Sequence, residues 1–432
     1  MKLTEDDIYR TSTQYQHWTF TAAQLAAQRL QTNIQASERV RAAVARQRAP
    51  RSLKAENASA SETERGESGA NTPVLAVDRE VNCLTVGEEK KLVDTFCKRA
   101  LDLGDFLKLP IEVTATGVQY MRRFYLLNSP MTYDPQTISR SVIFIASKAE
   151  GHHLSVERYA SSLPKTTPAD ILAPEYLITQ ALRFNYEVRH PFRGLKGGHL
   201  ELMALAQGKP ALLPTATQSA QELQTAMLAL PRKPDGPATS MTVAELEKRI
   251  TDAYGLASHI LKTAALLTDA YFLYTPSHIW LSAHLLADEP LTLFYLSTKL
   301  PLSSPMHDKL LSTLRACSTL LSSHPISSHP LQTTASAEQQ KKEKEEIGAL
   351  LKKLRQCRDP DKIDLVKLNQ AQKRDVTVRV EENGGEGLEE SKAKRRKVAR
   401  ERAEREADEF WGPSLKRKDE EGSGGNLEKN GG

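Results

Sequence analysis

Cysteine is scarce in this chain, with four in 432 residues. Cys83, Cys97, Cys317 and Cys357 lie far apart, and no Cys-x-x-Cys occurs. This argues against a zinc ribbon or a disulfide framework and suits a reducing compartment. No apolar run approaches the roughly 18 residues needed to cross a bilayer. The opening Met1-Lys2-Leu3-Thr4-Glu5-Asp6-Asp7 is too acidic and polar for a signal peptide. The expectation is a soluble intracellular protein with no membrane partner. A strong charge of one sign is missing too: 59 Lys+Arg against 54 Asp+Glu leave +5, too mild for nucleic-acid binding by the whole chain. Catalytic signatures are absent as well. There is no Gly-x-Ser-x-Gly and no His-Arg-Asp. Gly194-Leu195-Lys196-Gly197-Gly198 lacks phosphate-loop spacing, and His152-His153 has no acidic or Cys/His partner at ligand spacing. Neither an enzyme nor a cofactor or metal site is expected.

What the chain does have is helical periodicity. From Gly117 to Phe192 three helical patterns follow one another with almost no loop. The middle one opens at Asp134-Pro135, a capping residue followed by a ring whose fixed φ suits the first turn. Ile138, Val142 and Ile145 line one face, Ile143 and Phe144 fill the other, and small Ser141, Ala146 and Ser147 lie between. A helix with no polar face must be surrounded by other helices.

The first ordered element is announced by His17-Trp18-Thr19-Phe20-Thr21. Thr21 and Gln24 stand at capping-box spacing, and Phe20 and Leu25 at staple spacing. The helix they start is expected to run to about Arg48 on a thin stripe of Leu25, Leu30, Ile34, Val40 and Val44. Residues 49–84 read as a disordered insertion and linker, because few apolar side chains offset the ordering entropy. Order resumes near Thr85. A second helical region, 191–325, carries a Pro- and Thr-rich insertion near 212–242. It repeats the order amphipathic helix, tight turn, capped apolar helix, the last beginning at Thr275-Pro276-Ser277. C-terminal helices are expected over 326–375, with Ile347, Leu350, Leu351 and Leu354 on one face. Residues 376–432 read as a disordered charged tail with a basic cluster.

These residues resemble the cyclins. Gly117 to Leu126, Ile145 to Glu150 and Glu175 to Asn185 are similar to three consecutive helices of a cyclin box. Four further segments narrow the resemblance to the cyclin H family, in a fungal form. They are Tyr9-Arg10-Thr11-Ser12 with His17-Trp18-Thr19-Phe20, Arg123 to Ser129, His190-Pro191-Phe192-Arg193, and Leu267 to Ser277. Arg122 departs from the cell-cycle cyclins, which carry an acid before Arg-Phe. The implied fold is all-α: two tandem five-helix cyclin boxes, 85–190 and 191–325, flanked by N- and C-terminal helices.

The resemblance implies a regulatory subunit of the CDK-activating kinase in TFIIH. Its partners would be a cyclin-dependent kinase catalytic subunit, an assembly subunit and the TFIIH core. The complex would phosphorylate RNA polymerase II C-terminal repeats and, in some lineages, other cyclin-dependent kinases. Lys148 either complements a helix dipole or, as the family implies, bonds the kinase beside its mobile regulatory helix. Glu175, in a first turn after Pro174, carries the same two readings. Lys392, Lys394, Arg395, Arg396 and Lys397 read as a nuclear localisation signal or as a solvated tail. Asp269, at an apolar helix end, reads as a structural cap or a polar anchor and not as a site. Two alternatives stand: another transcriptional cyclin, of the C, K, L or T type, or a TFIIB-like cyclin-fold DNA-binding factor. Direct nucleic-acid binding is not expected.

Overall fold

The computed structural model describes residues 9–60, 81–210, 218–300, 304–324, 337–362 and 364–367, and among them there are helices and no strand. No helix among them is long and apolar enough to cross a membrane. Among the described residues, Tyr9 and Arg10 are helical, and α1 (Thr13–Trp18) and α2 (Ala22–Ala60) follow. The first repeat comprises α3 (Val86–Phe106), α4 (Ile111–Leu127), α5 (Pro135–Ala149), the short α6 (Val156–Ser161) and α7 (Pro168–Leu172), and α8 (Glu175–Ala181). The fourth helical place is thus filled by two short pieces. In the second repeat α9 (Phe192–Ala206), α10 (Ala220–Leu228), α11 (Val243–Lys262), the single turns α12 (Ala264–Leu267) and α13 (Ala270–Leu273), α14 (Pro276–Ala287), α15 (Glu289–Lys299) and α16 (His307–Ser322) follow in order. A further helix α17 (Ala337–Gln356) and a 3-10 turn (Pro360–Lys362) follow.

Each repeat is built around one buried helix. Asp134 caps α5 by accepting from the Gln136 amide, Pro135 fills its first turn, and Ile138, Val142, Ile143 and Ala146 are fully buried. Helices α3, α4, α7 and α8 surround it. Its approach to α4 is close: a Cβ on Gly117 would meet the Ile143 side chain at 2.7 Å. In the second repeat α14 holds the equivalent place among α9, α11, α15 and α16. There Gly194 and Gly198 of α9 lie against the Trp280 ring, which an added Cβ would meet at 2.6 and 2.8 Å. Gly194 and Gly198 therefore serve packing, whereas a Cβ on Gly197 would meet open space.

Three expectations change. The N-terminal helix runs past Arg48 and Pro50 to Ala60, so the stretch read as disordered begins in helix. Leu53, Lys54, Ala55 and Glu56 are good helix formers, and extending an existing helix avoids the nucleation cost. The buried stripe of α2 is Leu25, Thr32, Ala36, Val40 and Ala43, while Leu30 and Ile34 are 52% and 47% exposed. The residue-size reading missed the small Ala36 and Ala43, which let α2 lie close to its neighbours. Finally, the Pro- and Thr-rich insertion contains a docked helix. A Ser219–Glu222 capping box starts α10, and Leu223 and Met227, one turn apart, are buried.

Charged contacts tie these parts together. Arg29 of α2 donates to both carboxylate oxygens of Asp269, at 2.9 and 2.6 Å. Arg122 of α4, buried, donates to Asp94 of α3 and to Asp269, each at 2.7 Å. Burial alone would raise the Asp269 carboxyl, but the Arg29 bond and the Arg122 charge hold it well below the carboxylate range. A second link runs through His190. Thr116 Oγ1 donates to Glu150 at 2.6 Å, so it accepts from His190 Nε2 at 2.8 Å; the Tyr271 hydroxyl, 2.9 Å away, then donates to Nδ1. Burial and the nearby Arg123 charge push this imidazole down to about 3, so it is neutral.

Aromatic and apolar contacts dock the flanking helices. Trp18, Leu25, Leu126 and Phe272 form one buried cluster, and the Phe20 amide donates to the Phe272 carbonyl at 2.8 Å. Thr21 and Gln24 form the expected capping box at 3.2 and 2.9 Å. On α17, Ile347, Leu350 and Leu354 pack with Cys357 against Val40, Leu84, Leu92 and Met131. Lys353 donates to both oxygens of Glu88, at 3.0 and 2.7 Å.

Candidate docking surface on the first repeat

Lys148 stands in the last turn of the buried helix α5 and Glu175 in the first turn of α8, so two helix ends converge on one edge of the repeat. Their side chains form an ion pair, with Lys148 47% and Glu175 34% exposed. The Lys148 ammonium lies 4.8 Å from the centroid of the Phe144 ring, which itself stacks on Tyr159. A cation over an aromatic face is held without losing its water on the far side. The backbone beneath is firmly set. Ile171, Ile178 and Leu182 are fully buried, and Ser141 on α5 donates to the Ile171 carbonyl at 2.7 Å.

Beside Glu175 in the chain, Tyr176 is 66% exposed, and Leu172, one turn earlier, is also exposed. Phe184, 61% exposed, lies past the far end of α8. Arg183 and Phe184 have φ of 55° and 58°, a left-handed pair that non-glycine residues seldom adopt. Strain of this kind persists where the surroundings impose it and clusters at functional sites. Sequence reasoning singled out Lys148 and Glu175 and passed over Tyr176, although its position next to Glu175 was an available signal.

Comparison with known proteins follows the same lines. The family model for the cyclin C-terminal domain matches residues 190–322. Cyclin CCL1 of Saccharomyces cerevisiae is 30% identical over 300 residues, 69% of this chain and 63% of that protein. Putative cyclin-H of Dictyostelium discoideum is 37% identical over 123 residues, 28% of this chain and 43% of that protein. A chain in the structure of the CAK complex from Chaetomium thermophilum bound to ATP-gamma-S is 30% identical, with a TM-score of 0.63 over 87% of this chain and 96% of that one.

The chain belongs to the cyclin H family. Its matches span 63% and 43% of the length of the two curated relatives. Within this cyclin the model for the C-terminal domain starts at His190, the residue that bonds Thr116 of the first repeat and Tyr271 of the second. Arg122 does not leave the first repeat without a buried ion pair, because it takes Asp94 and Asp269 as partners. The basic residues Lys392, Lys394, Arg395, Arg396 and Lys397 lie outside the described residues.

Proposed function

We propose that this cyclin binds and activates a cyclin-dependent kinase as its non-catalytic regulatory subunit, in a CDK-activating kinase module of TFIIH that phosphorylates RNA polymerase II C-terminal repeats. The observation that carries this reading is the half-exposed Lys148–Glu175 pair, set on two helix ends with exposed Tyr176 next to Glu175 in the chain. Such an edge offers a partner one donor group, one acceptor group and apolar area at once. An exposed ion pair contributes about 0–1 kcal/mol, so a partner opens it at little cost. Once the edge is covered, Lys148 donates to a kinase oxygen and Glu175 accepts from a kinase donor, in a site where both contacts strengthen.

Activation follows from differential binding. The cyclin favours the kinase conformation whose regulatory helix is pushed inward, completing the internal Lys–Glu ion pair and ordering the activation segment. An assembly subunit and the TFIIH core are the further partners of this reading. Lys392 to Lys397 act as the nuclear localisation signal. The test is reconstitution. The chain alone should show no phosphotransfer, and adding it to its kinase should raise kcat. ATP turnover by the rigorously purified chain contradicts the proposal.

A further inference from the structure

Proline-directed protein kinases take Ser/Thr-Pro dipeptides whose hydroxyl is exposed and whose backbone is extended. Among the described residues there are four: Ser129-Pro130, Thr167-Pro168, Thr275-Pro276 and Ser304-Pro305. Ser129 is buried, Thr275 and Ser304 are half-buried, and Thr167 is exposed. Thr167 has extended φ and ψ of −102° and 159°. It follows a sharp bend in which Lys165 has φ 51°. Arg140 of α5 donates to the Pro164 carbonyl at 3.5 Å, which places a guanidinium at the foot of this loop.

We propose that Thr167 is a phosphoacceptor for a proline-directed serine/threonine kinase, and that phosphate there releases the turn leading into Glu175. In the transfer, Thr167 Oγ1 bonds the γ-phosphorus of ATP as the bond from that phosphorus to the β–γ bridging oxygen breaks. The hydroxyl proton passes to the kinase's base and ADP leaves.

The consequence follows from what the hydroxyl does before modification. Thr167 Oγ1 and the Thr167 amide both donate to Asp170 Oδ2, each at 2.8 Å, and Oγ1 accepts from the Asp170 amide at 3.3 Å. Phosphorylation removes the hydroxyl donor and brings about −1.5 to −2 charge against the Asp170 carboxylate. The reciprocal cap is lost, while Arg140 holds the Pro164 carbonyl three residues before Thr167. The turn that loses its cap, α7, carries the buried Ile171 and leads through Ala173 and Pro174 into Glu175. On α5, Arg140, Phe144 and Lys148 recur every fourth residue, a stripe about 12 Å long at 1.5 Å per residue. The Thr167 loop meets one end of that stripe and Glu175 the other. The effect on docking rests on the proposed function, whereas the acceptor site does not.

The test incubates the full chain with a purified mitogen-activated protein kinase and ATP, maps phosphate by mass spectrometry and follows amide hydrogen exchange over 169–173. Near-complete phosphorylation of Thr167 is expected, with at least tenfold faster exchange of those amides. Thr167→Ala should carry no phosphate in the 160–175 stretch. Thr167→Ser should accept phosphate and, unmodified, keep wild-type protection. Thr167 left unmodified, or phosphorylated with unchanged exchange, overturns the proposal. Neither readout involves the cyclin-dependent kinase, so failure here is distinguishable from failure of the docking reading.

Discussion

Asp269 accepts from Arg29 of the N-terminal helix and from Arg122 of the first repeat while sitting in the second repeat itself. Removing its charge leaves two largely buried guanidiniums short of a partner. Breaking a buried pair costs about 3–5 kcal/mol, and Asp269→Asn belongs at the lower end because Arg122 retains Asp94. Urea unfolding at pH 7 checks this; a loss below ~0.5 kcal/mol would show that the network adds nothing. The pH dependence has a fixed sign. Because the folded carboxyl titrates below its ordinary 3.8, its contribution is whole above that pH and is lost as pH falls below it. Asp269→Asn should therefore flatten the acid limb of the stability profile. Asp269 was legible as an anchor from its place in an apolar helix end. Arg29, 240 residues away, was not, since pairing over that separation leaves no local pattern.

At the scale of elements, the N-terminal helix separates capping from burial. Thr21→Ala removes a reciprocal cap on an exposed turn and should cost about 0.5–2 kcal/mol. Trp18→Ala empties a buried cluster and should cost about 3–5 kcal/mol. Equal effects of the two substitutions in thermal unfolding would mean that α1 is not docked as described. Position along α2 gives a finer test. Val40 is fully buried, so Val40→Ala should cost about 1.5–3 kcal/mol. Exposed Ile34→Ala should stay within about 0.5 kcal/mol. Helix starts were legible because caps are local: Thr21, Thr85 and Asp134 each announce one. The buried face of α2 was partly legible: Leu25 and Val40 are buried as expected, while Leu30 and Ile34 are exposed and the small Ala36 and Ala43 are buried in their stead. The helix α10 was hidden by the prolines and threonines around it, although Ser219, Glu222, Leu223 and Met227 spell a cap and a one-turn stripe.

For the whole molecule, the two repeats meet at His190 as well as at Asp269. The imidazole is held neutral, near 3, against an ordinary value of 6.5. Between those values the unfolded chain binds a proton that the folded chain excludes, so stability falls as pH drops through that window, by at most about 1.4 kcal/mol per unit. Urea midpoints measured from pH 7 to 5 should decline, and less so in His190→Gln. The architecture of two repeats was legible in the apolar helices at Pro135 and Pro276, which cannot exist outside a ring of others. The proposed docking edge was half legible. Lys148 and Glu175 sit at helix ends that sequence marks, whereas their pairing across 27 residues leaves no local pattern. The central claim is that this edge receives the kinase. Its most direct measurement is the affinity of the cyclin-dependent kinase catalytic subunit for Lys148→Ala and Glu175→Ala, read beside their thermal midpoints. Each truncation leaves a kinase group unpaired, at about 2–5 kcal/mol, which is more than a tenfold loss of affinity. The midpoints should barely move, because the exposed pair itself contributes about 0–1 kcal/mol. Wild-type affinity in both variants, with or without reduced stability, would contradict the account and return both residues to the role of helix ends.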